Sequence, residues 1–142
     1  MKITTDIVIV GSGVAGLFCA LHLPEDKDVL IITKSTVTES DSYLAQGGIC
    51  MLRDEKDYDA YFEDTMRAGH YENRKESVDI MLRSSQDVIK ELIDFGVEFT
   101  RNEDGSIKFT KEGAHSSPRI CFHEDITGKE ITSKLLAAVQ KK

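Results

Sequence analysis

Three glycines spaced as Gly-x-Gly-x-x-Gly have the clearest chemical implication in this sequence. Gly11, Gly13 and Gly16 follow an apolar run at residues 6–10 and open a helical pattern. In a nucleotide-binding turn, the first glycine allows a tight turn, the second lets a pyrophosphate approach the backbone, and the third lets the helix pack closely on the strand. The start of such a helix also presents unpaired N–H groups to the phosphates. The spacing therefore predicts a dinucleotide site at residues 11–16.

A second group of chemically capable side chains lies in a polar turn near residue 115. Glu112, His115 and Arg119 bring a carboxylate, an imidazole and a guanidinium close together in sequence. They form an acid–base site, an anion clamp or a set of unrelated surface groups. The three types suit a zwitterionic substrate, because a carboxylate can pair with an ammonium and a guanidinium can bind a carboxylate through two hydrogen bonds. No metal site is expected, since His115 and His123 have no cysteine or acidic partner at ligand spacing.

The glycine turn requires a strand before it and a helix after it, and the sequence supplies both. Residues 29–33 read as a second buried strand, and the helix between the strands should stop near Pro24. Such a βαβ unit predicts an α/β fold with a doubly wound parallel sheet. Where dinucleotide sites usually carry an acid for the ribose, this chain has Thr33-Lys34. Lys34 either accepts a 2′-phosphate, which would indicate NADP, or covers the adenine while other groups hold the ribose.

The remaining elements are predicted from periodicity. Residues 57–96 form a helical excursion of two amphipathic helices that ends at Gly96, and the acidic side of the first helix is expected to be solvated surface. That acidic side comprises Asp57, Asp59, Glu63 and Asp64. Residues 97–111 alternate around Asp104-Gly105 and predict a β-hairpin. A last helix is expected to begin with Thr127 as its N-cap.

Composition excludes several functional classes. The chain has 142 residues, of which 40% are hydrophobic and 30% charged, as expected for one folded domain. Its net charge of −7 argues against nucleic acid as a partner. The sequence contains no run of about 18 apolar residues and therefore predicts no membrane-spanning helix. The three cysteines form no Cys-x-x-Cys pair, so we expect reduced thiols and a cytoplasmic location.

The polar segment at residues 34–48 is either a solvated connection or a backbone contact for a flat ring or phosphate, because it ends in Gly47-Gly48. Its Ala-Gln-Gly-Gly ending resembles the flavoprotein family of succinate dehydrogenase, fumarate reductase and L-aspartate oxidase, most of all the L-aspartate oxidases. The segment Glu-Gly-Ala-His-Ser at residues 112–116 strengthens the resemblance. So do further matching residues, namely Arg119, Ile120, Asp125, Thr127 and Gly128.

The resemblance implies FAD as the cofactor, with the Ala-Gln-Gly-Gly segment beside the isoalloxazine ring. The histidine that carries covalent flavin in succinate dehydrogenase would fall at Asp41, which implies non-covalent FAD. Lys34 follows the L-aspartate oxidase pattern in place of the usual acid. The predicted cofactor-binding residues are Gly11, Ser12, Gly13, Val14, Ala15, Gly16, Lys34, Asp41, Ser42, Tyr43, Leu44, Ala45, Gln46, Gly47 and Gly48.

The resemblance also implies an activity and a domain assignment. Residues 1–142 would be the N-terminal part of an incomplete FAD-binding Rossmann-like domain, without the capping and C-terminal helical domains, and inactive alone. The complete enzyme would oxidise L-aspartate to iminoaspartate, with Glu112 orienting the amino group and dioxygen or fumarate taking the electrons. Iminoaspartate would pass towards quinolinate and NAD, with a possible handover to quinolinate synthase. The alternatives are a fumarate reductase-type flavoprotein and a non-catalytic nucleotide-binding module.

Overall fold

The βαβ unit expected from the glycine turn is present. A computed structural model describes residues 2–142, in which strands β1 (Ile7–Val10) and β2 (Val29–Ile32) are parallel and helix α1 (Val14–His22) connects them. The strands pair in register from Ile7 opposite Val29 to Val10 opposite Ile32. This confirms the predicted local topology.

A second sheet was not predicted in this form. Strands β3 (Ile49–Cys50), β4 (Phe109–Thr110) and β5 (Ile120–Cys121) form an antiparallel sheet in the order β3-β5-β4. Each strand has only two residues, which is too short for alternation to reveal it. The chain does reverse direction at residues 101–107, where Arg101 and Ile107 form an antiparallel bridge. The β4 residues assigned to the second arm of that hairpin pair with β5 instead.

Helices form the rest of the fold. A short helix α2 (Asp41–Leu44) precedes β3, and a 3₁₀ turn (Glu55–Asp57) leads into α3 (Tyr58–Ala68) and α4 (Lys75–Asp94). Gly96 after α4 has a φ of +92°, which suits glycine at a helix end. Within residues 2–142, no helix combines the length and the hydrophobicity that a membrane span requires.

The expectation that Thr127 is the N-cap of helix α5 (Thr127–Val139) was wrong. Thr127 is the first helical residue rather than the cap, which is Ile126. The Thr127 hydroxyl instead accepts a hydrogen bond from the His123 N–H at 2.9 Å. Thr127 is therefore buried, and its hydroxyl links the segment that follows β5 to the start of α5.

Two apolar clusters form the core. The larger joins α1, α4, α5 and the second sheet, and the smaller lies between β3, α3 and α4. The buried residues of the larger are Leu17, Ile89, Leu92, Val97, Phe99, Cys121, Ile131 and Leu135. Those of the smaller are Leu52, Tyr61, Met66, Val78 and Leu82.

One face of the parallel sheet is uncovered within the described residues. Val8, Val10 and Ile32 point to this face and are 51%, 81% and 44% exposed. On the opposite face, Ile31 packs against the larger core cluster. Doubly wound sheets normally bury both faces, so this face lacks the cover that such sheets usually have.

Candidate cofactor and substrate site

The glycine turn has the geometry that its spacing requires. Gly11 has a φ of +113°, a conformation that residues with a side chain rarely adopt. A Cβ on Gly16 would collide with the carbonyl oxygen of Gly11, so helix and turn pack as closely as predicted. Ser12 is buried and donates a hydrogen bond to the Thr33 hydroxyl at 3.1 Å, which joins the turn to the end of β2.

A cleft of about 770 Å³ opens at the carboxyl ends of the two parallel strands. Six of the predicted cofactor residues line it, namely Gly11, Ser12, Gly13, Lys34, Asp41 and Ser42. The sequence analysis did not single out four further polar lining residues, which are Ser35, Thr36, Glu39 and Ser40. Ligands of open α/β sheets bind at this edge. The predicted residues Val14, Ala15 and Gly16 lie behind the turn in α1, and residues 43–48 lead away from the cleft.

Helix α2 places Ser42 against the start of α1. The Val14 N–H donates to the Ser42 Oγ at 3.2 Å, and a Cβ on Gly13 would approach that oxygen to 3.0 Å. The helix is held from behind by α5, because Gly128 donates its N–H to the Ala45 carbonyl at 2.9 Å. A Cβ on Gly128 would collide with the backbone of Ser42, so the matching Gly128 has a packing role.

The two segments that carry the family resemblance meet in space. The Glu112 Oε2 lies 3.5 Å from the position that a Cβ on Gly47 would occupy. Glu112 and residues 44–48 are exposed. Gly48 lies against β5, where a Cβ would collide with Ile120 and Cys121. Gly47 is thus open on the side that faces Glu112, while Gly48 allows the chain to pass over the second sheet.

Arg119 is not an anion clamp. Its side chain is fully buried and each of its five N–H donors has a partner inside the protein. It forms ion pairs with Asp57 and Asp64, both with closest distances of 2.7 Å. It also donates to the Ser117 hydroxyl at 2.7 Å and lies 4.7 Å above the Tyr61 ring. Arg119 is therefore occupied in the fold and is not free to bind a substrate.

The expectation that the whole acidic side of α3 is solvated was wrong for Asp57 and Asp64. Asp64 is 3% exposed, and although burial raises its pKa, hydrogen bonds from Ser116 and Arg119 outweigh burial and hold the pKa well below its usual range. Burial also opposes ionisation of Asp57, but Arg119 and Ser117 lower its pKa. Both carboxylates are thus charged partners of one buried guanidinium.

His115 extends this network to β3. Its Nδ1 lies 3.1 Å from an Arg119 nitrogen, which can only donate, so Nδ1 is the acceptor and the proton of the neutral ring is on Nε2. That Nε2 lies 3.3 Å from the Cys50 sulfur. Burial and the Arg119 charge lower the pKa of His115, and burial raises the pKa of Cys50. His115 is therefore a neutral structural link rather than a ready proton donor.

No cluster of three or more metal-ligating side chains occurs in residues 2–142. His123, for which the resemblance left no clear role, hydrogen bonds to the Glu98 carbonyl at 2.5 Å. It lies outside the contact between Glu112 and Gly47.

The chain belongs to the FAD binding domain family, whose model matches residues 6–142. Among known proteins it is similar to the L-aspartate oxidases of Clostridium perfringens and Clostridium acetobutylicum, with 46% and 48% identity over all 142 residues. These matches cover 32% and 33% of the two enzymes, so the chain spans about a third of their length. FAD is confirmed as the cofactor, and the NADP interpretation of Lys34 is not supported.

Solved structures confirm the fold. The E. coli quinol fumarate reductase superimposes with a TM-score of 0.91 at 25% identity, over 99% of this chain and 25% of that chain. The Mycobacterium smegmatis Sdh1 complex in its apo form superimposes with a TM-score of 0.87 at 30% identity, over 96% of this chain and 24% of that chain. The fold expected from the resemblance, an FAD-binding domain of this flavoprotein group, is thus correct.

Proposed function

We propose that this chain forms the FAD-binding and part of the substrate-binding region of an L-aspartate oxidase. The observation that carries the proposal is the meeting of Glu112 with Gly47 on an exposed surface, at 3.5 Å from the position of a Gly47 Cβ. Similarity to L-aspartate oxidases over the whole chain supports aspartate as the substrate.

The residues present fit FAD. The start of α1 points an open glycine turn into the polar cleft, where its N–H groups and partial charge favour a pyrophosphate. Lys34 adds a positive charge at the far side, and Ser42 offers a hydroxyl between turn and loop. The exposed Gly47 backbone admits a flat ring without interference from a side chain. We propose that the FAD is held here without a covalent bond.

The proposed reaction is oxidation of L-aspartate to iminoaspartate. The Glu112 carboxylate binds the substrate ammonium and so orients the α-carbon towards the flavin side of the site. Bound FAD would supply the acceptor for the α-hydrogen, which leaves as hydride while the ammonium loses one proton and the C=N bond forms. Dioxygen or fumarate would then take the two electrons and two protons, giving hydrogen peroxide or succinate. Arg119 does not hold a substrate carboxylate, since its donors are all used in the fold. Both carboxylates of aspartate must therefore be bound by groups other than Arg119.

The wider role that we propose is supply of iminoaspartate for quinolinate and NAD synthesis, with quinolinate synthase as the receiving enzyme. Iminoaspartate is an imine and is prone to hydrolysis, so a rapid handover would protect it. Cys19, Cys50 and Cys121 are free thiols, which is compatible with the proposed cytoplasmic location.

A hybrid oxidase tests the proposal. In this protein, the matched segment of the Clostridium perfringens enzyme is replaced by the present chain. We expect Glu112→Gln to lower kcat/KM for aspartate about 10- to 150-fold, because a charge-assisted hydrogen bond contributes about 1.5–3 kcal/mol. Fumarate reduction should change little, since fumarate has no ammonium. Glu103→Gln, in the exposed turn of the hairpin, is the matched control and should affect neither reaction.

A fumarate reductase-type flavoprotein is the second candidate, favoured by the TM-score of 0.91 to the E. coli enzyme. In that case aspartate would not be oxidised by the hybrid oxidase, or Glu112→Gln would lower both activities in parallel. The 142-residue chain alone should produce no aspartate-dependent peroxide, because Glu112 is the one substrate group that the resemblance assigns to it.

A further inference from the structure

We propose that Asp64 and Arg119 are positioning residues, which hold the substrate loop (residues 112–119) so that Glu112 faces Gly47. This inference rests on the proposed function, because the two residues act through Glu112, the group proposed to bind the aspartate ammonium. It concerns how the loop is held and adds no group that touches the substrate.

The Glu112 side chain is not held directly. Within residues 2–142, its carboxylate takes part in no hydrogen bond or ion pair. The backbone around it is fixed, since the His115 N–H donates to the Glu112 carbonyl at 3.1 Å and closes a turn at Gly113, which has a φ of +41°. The direction of the Glu112 side chain therefore depends on where this turn is anchored.

Asp64 is the main anchor of that turn. Its Oδ2 accepts the Ser116 N–H at 2.6 Å, the Ser116 hydroxyl at 2.7 Å and an Arg119 N–H at 2.7 Å. Its Oδ1 accepts from Arg67 at 2.7 Å, and Arg67 also reaches the Ala114 carbonyl at 3.4 Å. One buried carboxylate on α3 thus fixes the substrate loop immediately after the Glu112 turn.

Arg119 fixes the other end of the loop to the same helix. Its guanidinium bridges Asp64 to Asp57, and Asp57 also accepts from the Ser117 hydroxyl at 2.9 Å. Through His115 it also fixes the middle of the loop against Cys50 of β3. Because Gly47 lies just before β3 in the chain, the loop and the Ala-Gln-Gly-Gly segment are held to the same small sheet.

The test uses Asp64→Asn in the hybrid oxidase. Asparagine keeps the size of the side chain but removes the charge that Ser116 and Arg119 bind. Misplacement of a binding group by about 1 Å can lower the rate about 100-fold, so we expect kcat/KM for aspartate to fall about 10- to 100-fold, mainly through KM, while fumarate reduction is retained. Asp59→Asn makes the same chemical change on the exposed side of the helix and should have no effect.

A double-mutant cycle separates positioning from general support of the fold. If Asp64 acts through Glu112, the loss caused by Asp64→Asn should largely disappear in a Glu112→Gln background. Additive losses, an unchanged KM for aspartate, or equal losses of aspartate oxidation, fumarate reduction and bound flavin would overturn the inference. Ser116→Ala, which removes one hydroxyl from the surface of the loop, should give a smaller change in the same direction even if Asp64→Asn folds poorly.

The proposed function fails in a different way. If Glu112→Gln does not selectively lower aspartate oxidation, both the function and this inference are wrong. If Glu112→Gln is selective but Asp64→Asn is not, the function stands and the positioning role is wrong.

Discussion

Replacing Arg119 with methionine is the most informative single perturbation of this chain. The arginine side chain is 0% exposed, and its removal leaves Asp57 and Asp64, with side chains 13% and 4% exposed, without their cation. Methionine fills much of the vacated volume, so the change mainly removes charge and hydrogen bonds rather than opening a cavity.

The expected cost follows from the burial of the partners. Breaking a buried ion pair by removing one member costs about 3–5 kcal/mol, because the remaining charge stays desolvated. Here two carboxylates, Asp57 and Asp64, remain without their cation. We therefore expect a loss of at least about 3 kcal/mol in the free energy of unfolding. Domains are stable by only about 5–15 kcal/mol, and the uncovered Val8 and Val10 place this chain at the lower end. At the lower end of that range, the variant should keep about 2 kcal/mol or less, so about 3% or more of its molecules should be unfolded at 25 °C.

Urea unfolding followed by circular dichroism measures this loss, and Arg83→Met is its control. Arg83 has the same kinds of partner as Arg119, because it pairs with Asp79 at 2.8 Å and Glu55 at 3.3 Å and lies 4.3 Å above the Tyr58 ring. Its side chain is 51% exposed, however, and exposed pairs contribute about 0–1 kcal/mol. Equal losses for the two variants, or a loss below about 1 kcal/mol for Arg119→Met, would refute the argument from burial.

Three further predictions concern acid stability and the cofactor. Folding lowers the pKa of Asp64, so its stabilising contribution is present above the ordinary value of 3.8 and is lost as the pH falls towards the folded value. Unfolding titrations should show this loss in wild type and a smaller loss in Arg119→Met, where the Ser116 hydrogen bonds to Asp64 remain. Gly13→Val should abolish flavin absorbance in the hybrid oxidase while circular dichroism is retained, because the side chain would press on Ser42; unchanged flavin content would refute the site. Acid precipitation should release all the flavin, since the resemblance places Asp41 where succinate dehydrogenase has its flavin-bearing histidine. Flavin that remains with the denatured protein would contradict non-covalent binding.

The sequence predicted those parts of the fold where the local backbone geometry restricts which residue type can occupy a position. Gly11 must be glycine because of its positive φ, and Gly16 because a Cβ would collide with the Gly11 carbonyl oxygen. The turn and the βαβ unit could therefore be predicted from the glycine spacing. Strands β3 and β5 were not, because pairing of two residues depends on a partner about 70 positions away. Their meeting is also what brings Glu112 to Gly47, so no local pattern could have predicted that contact.

The spacing of the acidic residues of α3 contained information on which of them are buried, and the sequence analysis did not use it. Asp57, Tyr61 and Asp64 have the spacing i, i+4 and i+7, which places both acids on the same helix face as Tyr61, a buried residue of the smaller core cluster. Asp59 and Glu63 lie on the other side and are exposed, as expected. A carboxylate on an apolar face must be neutralised by a cation that is buried with it. Arg119 stands directly before the apolar pair Ile120 and Cys121, and the structure shows that it is this cation.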